Sequence, residues 1–305
     1  MNHAGLDVTR LWTLLGHPDG PQPARGCDVT QCATFADHAV EEIRIETAGG
    51  RIPATLFRPL DPGPHPAVLY CHAHGNRYDI GRRELAEGRP ALQPAAYGPL
   101  LAARGFVTLC ADMPGFGDRQ AEGSEAALAK AAFWQGRTLF GDMLADLSAA
   151  LDVLTGRADV DDTRIATFGI SMGATHGYWL AALDARVVAT AHLCAFAGIT
   201  GLIEAGGHDL HGIYMTVPGL LRHGDMGDVA ALVAPRPQMV GAGGTDPLTP
   251  PRALQPALAT LSAAYAEAGA AQRLTTLVSA ETGHVETPQM RAAVLDFLEK
   301  ALVQP

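Results

Sequence analysis

The sequence predicts an α/β protein with a mostly parallel sheet and helices on both faces. Strand-length apolar runs alternate with segments of helical period along most of the 305 residues, which is typical of parallel strands joined by crossover helices. Residues 67–72 are almost continuously apolar, which indicates a strand covered on both faces. A chain of this length can bury one large core, so we expect one domain with insertions.

Composition and charge restrict the class of protein and of partner. Hydrophobic residues make up 48% and charged residues 18%, which is ordinary for a globular enzyme. A net charge of −10 argues against nucleic acid or an anionic membrane as a partner. The start of the chain lacks a signal-like pattern, and no apolar run is long enough to span a bilayer. Five cysteines at irregular spacing favour reduced thiols, so we expect a cytoplasmic protein.

The elements begin after a weakly patterned start. Residues 1–40 are expected to form an N-terminal extension to a single domain of residues 41–305. Residues 41–47 alternate polar and apolar side chains, and a turn with two glycines separates them from a second strand-like run at 51–58. This pattern predicts a hairpin, which the buried strand at 67–72 follows.

Helices and strands then alternate towards the end of the chain. A helix is predicted at 91–103 and a strand at 106–111, whereas residues 118–139 lack a clear period. Apolar residues from Phe140 to Leu154 follow helical spacing. The remaining predicted elements are strands at 164–168, 187–194 and 274–278, a strand that residues 234–241 lead into, and a closing helix at 285–302.

One segment does not fit the alternation. Residues 197–230 carry many glycines among apolar side chains between two predicted core strands. We interpret them as a cap or lid insertion over a site, and the alternative is an excursion that only packs on the core.

The most informative stretch is Gly169-Ile170-Ser171-Met172-Gly173, which lies between a strand-like run and a helix-like run. A strand, a tight turn and a helix around the serine are the context in which Gly-x-Ser-x-Gly is a nucleophile elbow. Glycine permits the strained turn, and the first amides of the following helix can bind a developing oxyanion. The alternative is a buried serine in a glycine-rich turn.

A nucleophilic serine needs a base, and the base needs a group that orients it. Asp246 and His284 both follow predicted strands, where ligands gather in open α/β sheets. Taken singly, Asp246 could cap a turn and His284 could be a surface histidine. In this order after Ser171, they predict a catalytic triad. Asp112, also at a strand end, is expected to brace the loops around the site.

The predicted oxyanion hole uses the Met172 amide and an amide of the loop after residues 67–72. Asn76 is the preferred second donor and Gly75 the alternative. The predicted substrate pocket combines this loop with the insertion, through His74, His208, His211, Ile213, Tyr214 and Met215. The histidines also suggest metal ligands, but His72 and His74 fall where the oxyanion loop is expected, so no metal is predicted.

These motifs resemble those of the α/β-hydrolase superfamily. The resemblance extends to His74-Gly75, Gly283-His284 and the turn at 112–117. Within it, the chain resembles the dienelactone-hydrolase-related and acetyl-xylan-esterase-like bacterial branch over about residues 40–302. The resemblance implies an α/β-hydrolase fold with an eight-stranded core sheet, ester hydrolysis through an acyl-enzyme and no cofactor. Dienelactone hydrolases proper use a cysteine where this chain has Ser171, and the loop lacks the His-Gly-Gly-Gly form of many lipases.

We therefore expect a serine carboxylesterase acting on a small-molecule ester, with short acyl groups preferred because of the resemblance. The alternatives are a serine peptidase or amidase of the same fold, and a catalytically silent binding protein. No nucleic-acid or membrane partner is expected, and a homodimer is among the assemblies we expect.

Overall fold

The structure, a computed structural model, describes residues 5–303. Within them, one sheet contains the strands β1 (Gly26–Thr34), β2 (Ala39–Thr47), β3 (Gly50–Arg58), β4 (His65–Cys71), β5 (Val107–Ala111), β6 (Val160–Ile170), β7 (Val187–Leu193), β8 (Gln238–Gly243) and β9 (Leu274–Ser279). Their order across the sheet is β1-β2-β3-β5-β4-β6-β7-β8-β9. Neighbours from β5 through β9 pair in parallel, and the pairs from β1 to β5 are antiparallel. The predicted mostly parallel sheet is confirmed.

Helices cover both faces of this sheet. They are α1 (Val8–Leu15), α2 (Glu84–Glu87), α3 (Tyr97–Ala102), α4 (Glu125–Trp134), α5 (Leu139–Thr155), α6 (Met172–Leu183), α7 (Ile199–Ala205), α8 (Met226–Ala231), α9 (Pro251–Glu267) and α10 (Pro288–Leu302). One apolar core packs α5, α6, α8 and α9 on one face, and a second packs α3 and α10 on the other. Within residues 5–303, no helix is both long and apolar enough to cross a membrane.

The structure has one strand more than the resemblance implied. The additional strand, β1, lies in the predicted extension and pairs antiparallel with β2. All its residues are exposed, so no buried face imposes an alternation that the sequence could display. Residues 1–4 of the extension and residues 304–305 lie outside the described part of the chain.

The irregular segment before α5 also contains a helix. Helix α4 begins after Ser124, whose side chain accepts a hydrogen bond from the Ala127 N–H at 3.4 Å. The apolar side chains that it buries are the small ones of Ala129 and Ala132, so the sequence displays little helical period. The helix places Glu125 beside His74, which follows β4 at the carboxyl edge of the sheet.

The insertion at 197–230 connects β7 to β8 and contains α7, three short 3-10 turns and α8. Asp225 fastens its two ends together. Its carboxylate accepts hydrogen bonds from the N–H groups of Ile199 at 2.6 Å, Thr200 at 3.0 Å and Met226 at 2.7 Å. A carboxylate that accepts hydrogen bonds at the start of both helices therefore holds α7 and α8 together.

Candidate active site

Ser171 occupies the turn between β6 and α6, with φ at +58°. A non-glycine residue in this region is strained, as expected of a nucleophile elbow. A Cβ at Gly173 would overlap the carbonyl of Cys71, and one at Gly169 would overlap the backbone of Gly173. Glycine at both positions therefore allows α6 to approach the end of β4 closely enough to form the turn.

The Met172 amide lies where the sequence predicts an oxyanion donor. Met172 is the first residue of α6, so its N–H has no acceptor within the helix. The Ser171 N–H donates to the Leu193 carbonyl at 2.9 Å, which fastens the turn to the end of β7. A helix amide held beside the serine can stabilise negative charge that develops there.

Asp246 and His284 are brought together as predicted. His284 Nδ1 donates to Asp246 Oδ2 at 2.8 Å, and Asp246 Oδ1 accepts the Leu248 N–H at 2.9 Å. Asp246 is only 2% exposed. With Nδ1 as donor, His284 Nε2 carries the lone pair that a general base needs. Both residues follow parallel strands, so they share the carboxyl edge of the sheet with Ser171.

A buried carboxylate that the sequence analysis missed, Glu286, holds the His284 loop. Arg291 donates to Glu286 from Nε at 3.0 Å and from Nη2 at 2.8 Å, and the Tyr97 hydroxyl donates to the same carboxylate. The Gln93 N–H donates to it at 2.8 Å. The loop is therefore anchored to a segment almost two hundred residues earlier, which no local motif reveals.

The predicted second oxyanion donor, the Asn76 amide, is hydrogen-bonded within its own loop. Its N–H donates to His74 Nδ1 at 3.0 Å, so this amide already has an acceptor. The loop turns sharply, with positive φ at both Gly75 and Asn76. An oxyanion would have to replace the imidazole as the acceptor of this N–H.

A second carboxylate that sequence reasoning missed, Glu125, fixes this loop. His74 Nε2 donates to Glu125 Oε2 at 2.5 Å, and the Tyr78 hydroxyl donates to the same oxygen at 3.0 Å. The Tyr214 N–H donates to Oε1 at 3.0 Å. Burial alone would raise the pKa of Glu125, but the hydrogen bonds outweigh burial and hold it below its ordinary value. Glu125 therefore joins the oxyanion loop to the insertion as a carboxylate.

The variant Glu125→Gln tests this role of the charge. A carboxyl whose pKa is lowered by folding adds stability above its unfolded-state pKa and loses it as pH falls through the folded-state value. We expect the variant to be less stable by roughly 1–3 kcal/mol at pH 7, with the difference shrinking below about pH 4.5. Urea unfolding from pH 7 to 3.5 measures this, with the exposed Glu267→Gln as the control. An unchanged difference over this range would contradict the prediction.

Asp112 braces the loops, as expected, and is not paired with His284. Its buried carboxylate accepts Arg82 N–H at 2.7 Å, Arg82 Nη1 at 2.5 Å and Asp118 N–H at 3.0 Å. Arg82 also pairs with Glu42 at 3.2 Å.

The predicted pocket residues separate into two groups. His208, His211, Ile213 and Met215 line a cavity of about 560 Å³ within the insertion. Tyr214 does not line this cavity and is 5% exposed, with its ring 5.8 Å from that of His74. The 3-10 turn at Ile213–Met215 contains Tyr214, whose side chain packs in the core rather than in this cavity.

The buried histidine of the His-x-His pair has a structural role. His72 is fully buried, and its Nδ1 donates to the Ala73 carbonyl while its Nε2 accepts the Met113 N–H, both at 3.1 Å. Burial lowers the pKa of His72 to about 3, so the ring is neutral. In the described part of the chain, no three His, Cys, Asp or Glu side chains converge so that they could hold a metal ion.

Comparison with known proteins places the chain among hydrolases. The family model for peptidase S15, described as X-Pro dipeptidyl-peptidase, matches residues 48–277. The putative hydrolase YtaP of Bacillus subtilis is 36% identical over 295 residues, which cover 96% of this chain and 98% of that protein.

Solved structures share the fold at lower identity. A putative acetyl xylan esterase from Bacteroides fragilis superposes with a TM-score of 0.75 at 15% identity, covering 96% of this chain and 86% of that one. Methylesterase BT1017 gives 0.72 at 23% identity, and the match covers 96% of this chain but 61% of that protein. The chain thus spans less than two thirds of the methylesterase. These likenesses show the α/β-hydrolase fold that the sequence predicts.

Proposed function

The chain belongs to the X-Pro dipeptidyl-peptidase (S15) family, and we propose that this serine hydrolase is a carboxylesterase for esters with short acyl groups. The observation that carries the proposal is that Ser171, His284 and Asp246 all lie at the carboxyl edge of the sheet. Ser171 lies in a strained elbow, and His284 and Asp246 form a hydrogen-bonded pair at the ends of neighbouring strands.

The proposed reaction proceeds in two halves. Ser171 Oγ attacks the ester carbonyl while His284 Nε2 takes the hydroxyl proton. His284 then gives this proton to the oxygen of the leaving alcohol, and the acyl group stays on Ser171. Water attacks the acyl-enzyme after losing a proton to His284, and the acid leaves as Ser171 regains a proton. Asp246 holds the imidazole in the required tautomer and stabilises its charged form.

The proposed oxyanion hole combines the Met172 amide with an amide of the loop at 74–76. Asn76 serves as the second donor when its N–H gives up its hydrogen bond to His74 Nδ1 and donates to the oxyanion instead. A charged oxygen is a stronger acceptor than a neutral imidazole nitrogen, which favours the exchange. The bond from His74 to Glu125 keeps the loop in place while the exchange occurs.

Two other functions compete with the esterase. A peptidase or amidase is favoured by the description of the family model, X-Pro dipeptidyl-peptidase. Esterase activity is favoured by the solved structures of the same fold that are named esterases. A catalytically silent binding protein would have no use for the strained Ser171 or for the pairing of His284 with buried Asp246.

An ester, the anilide of the same acid and a prolyl anilide together separate these functions. We expect 4-nitrophenyl acetate to be hydrolysed with a larger rate enhancement over the uncatalysed reaction than 4-nitroacetanilide or an Ala-Pro-4-nitroanilide. Division by the uncatalysed rate removes the greater intrinsic reactivity of esters. A larger enhancement for the prolyl anilide would instead identify a peptidase, and no turnover of any substrate would favour the silent protein.

We also propose a cellular location and an oligomeric state for the protein. A cytoplasmic location is supported by five cysteines that are all free, three of them buried. A homodimer is proposed without a specific surface. Cell fractionation and light scattering of the purified protein test them separately.

A further inference from the structure

The insertion contains a formed cavity that the catalytic residues do not line. Its volume of about 560 Å³ lies within the range of sites that bind small organic molecules. Most of its wall is apolar, including Ile199, Leu202, Ile203, Ile213, Met215 and Leu220. A space of this size and composition suits a bulky apolar group.

The polar end of the cavity wall is connected to the triad acid. His211 lines the cavity, and its Nε2 donates to the Leu248 carbonyl at 2.9 Å. The Leu248 N–H in turn donates to Asp246 Oδ1 at 2.9 Å. Burial lowers the pKa of His211, and the nearby His284 lowers it further, so the ring is neutral. The cavity therefore lies on the Asp246–His284 side of the site.

The helix that follows Ser171 supports another part of the cavity wall. Met226 lines the cavity, and its sulfur accepts hydrogen bonds from the Tyr178 hydroxyl at 3.2 Å and from Trp179 Nε1 at 3.3 Å. Both donors belong to α6 and are fully buried. This part of the wall is therefore held to the helix of the elbow.

The position of the cavity beside Asp246 and His284 indicates which part of the ester it binds. A general acid must come within hydrogen-bond distance of the oxygen that it protonates, so the leaving alcohol departs on the His284 side. We infer that the insertion cavity binds the alcohol group of the substrate, and that this group is bulky and apolar. The inference rests on the proposed function and specifies the substrates as short-acyl esters of bulky apolar alcohols.

Two series of esters test the inference. In the alcohol series, acetate is kept and the alcohol grows from ethanol to butanol to cyclohexylmethanol, all of similar leaving ability. In the acyl series, ethanol is kept and the acid grows from acetate to butyrate to hexanoate. We expect kcat/KM to rise at least about tenfold along the alcohol series and to fall or stay level along the acyl series.

Cavity-filling variants connect this preference to the cavity. Ile203 and Ile213 line it but remain 50% and 43% exposed, so Ile203→Trp and Ile213→Trp should fold normally, as melting temperatures will show. We expect each to reduce the cyclohexylmethyl-to-ethyl ratio of kcat/KM at least about fivefold, and to weaken inhibition by cyclohexylmethanol. Leu60→Trp is the control. Leu60 is 46% exposed and precedes the amino end of the central strand β4, away from the carboxyl ends of the strands where the candidate site lies.

The outcomes distinguish the inference from the proposed function. An unchanged ratio in both cavity variants would overturn the inference, as would a preference that follows the acyl series. Hydrolysis of ethyl acetate alongside either result would leave the esterase proposal standing. Failure to hydrolyse any ester, with no labelling by a fluorophosphonate, would overturn the esterase proposal and the inference together.

Discussion

Ser171→Ala is expected to retain the fold and to lose at least about three orders of magnitude in ester turnover, as triad deletions do elsewhere. The side chain is small and lies on a turn that Gly169 and Gly173 shape, so removing one oxygen leaves the backbone unchanged. The proposed reaction has no other group that can form the acyl-enzyme. Measuring kcat/KM with 4-nitrophenyl acetate, together with the melting temperature, tests this expectation.

Another serine of the chain provides the control for this variant. Ser148 lies in α5, is 5% exposed and takes no part in the proposed reaction. Ser148→Ala should therefore retain ester turnover. Near-normal turnover by Ser171→Ala would remove Ser171 as the nucleophile.

Asp246→Asn is expected to reduce kcat by a factor on the order of 10⁴ while the protein stays folded. The aspartate accepts the His284 Nδ1 proton at 2.8 Å. An amide in its place can donate to Nδ1, which would leave the proton on Nε2 and remove the lone pair that accepts the Ser171 proton. Steady-state kinetics and thermal unfolding of the same preparation measure both effects.

Asp112→Asn is the matched comparison for Asp246→Asn, because Asp112 is also a buried carboxylate that follows a strand. It forms an ion pair with Arg82, so the variant should lose roughly 3 kcal/mol of stability. Its kcat should fall much less than that of Asp246→Asn. If the two variants ranked in the opposite order, Asp112 would be the triad acid.

The sequence predicts where Ser171, Asp246 and His284 lie because local patterns surround each of them. Ser171 lies in a motif with required glycines, and Asp246 and His284 each follow a strand-like run. Parallel strands bring such positions to one edge whatever the details of packing. The α/β class and the triad order therefore follow from short stretches of sequence.

What the sequence does not reveal depends on contacts between distant segments. Glu125 meets His74 across 51 positions, and Glu286 meets Tyr97 across 189, so neither carboxylate belongs to a local motif. The Asn76 amide has a partner because of where the His74 ring turns, which the residue types do not specify. Strand β1 buries no side chain and leaves no periodic signal.

Fluorophosphonate labelling followed by peptide mass spectrometry tests the central claim most directly. The account predicts one adduct per chain, on the peptide that contains Ser171, and no adduct in Ser171→Ala. The reagent reacts with an activated serine and needs no knowledge of the natural substrate. An intact protein that remains unlabelled, or one labelled on a different residue, would contradict the assignment of Ser171 as the activated nucleophile.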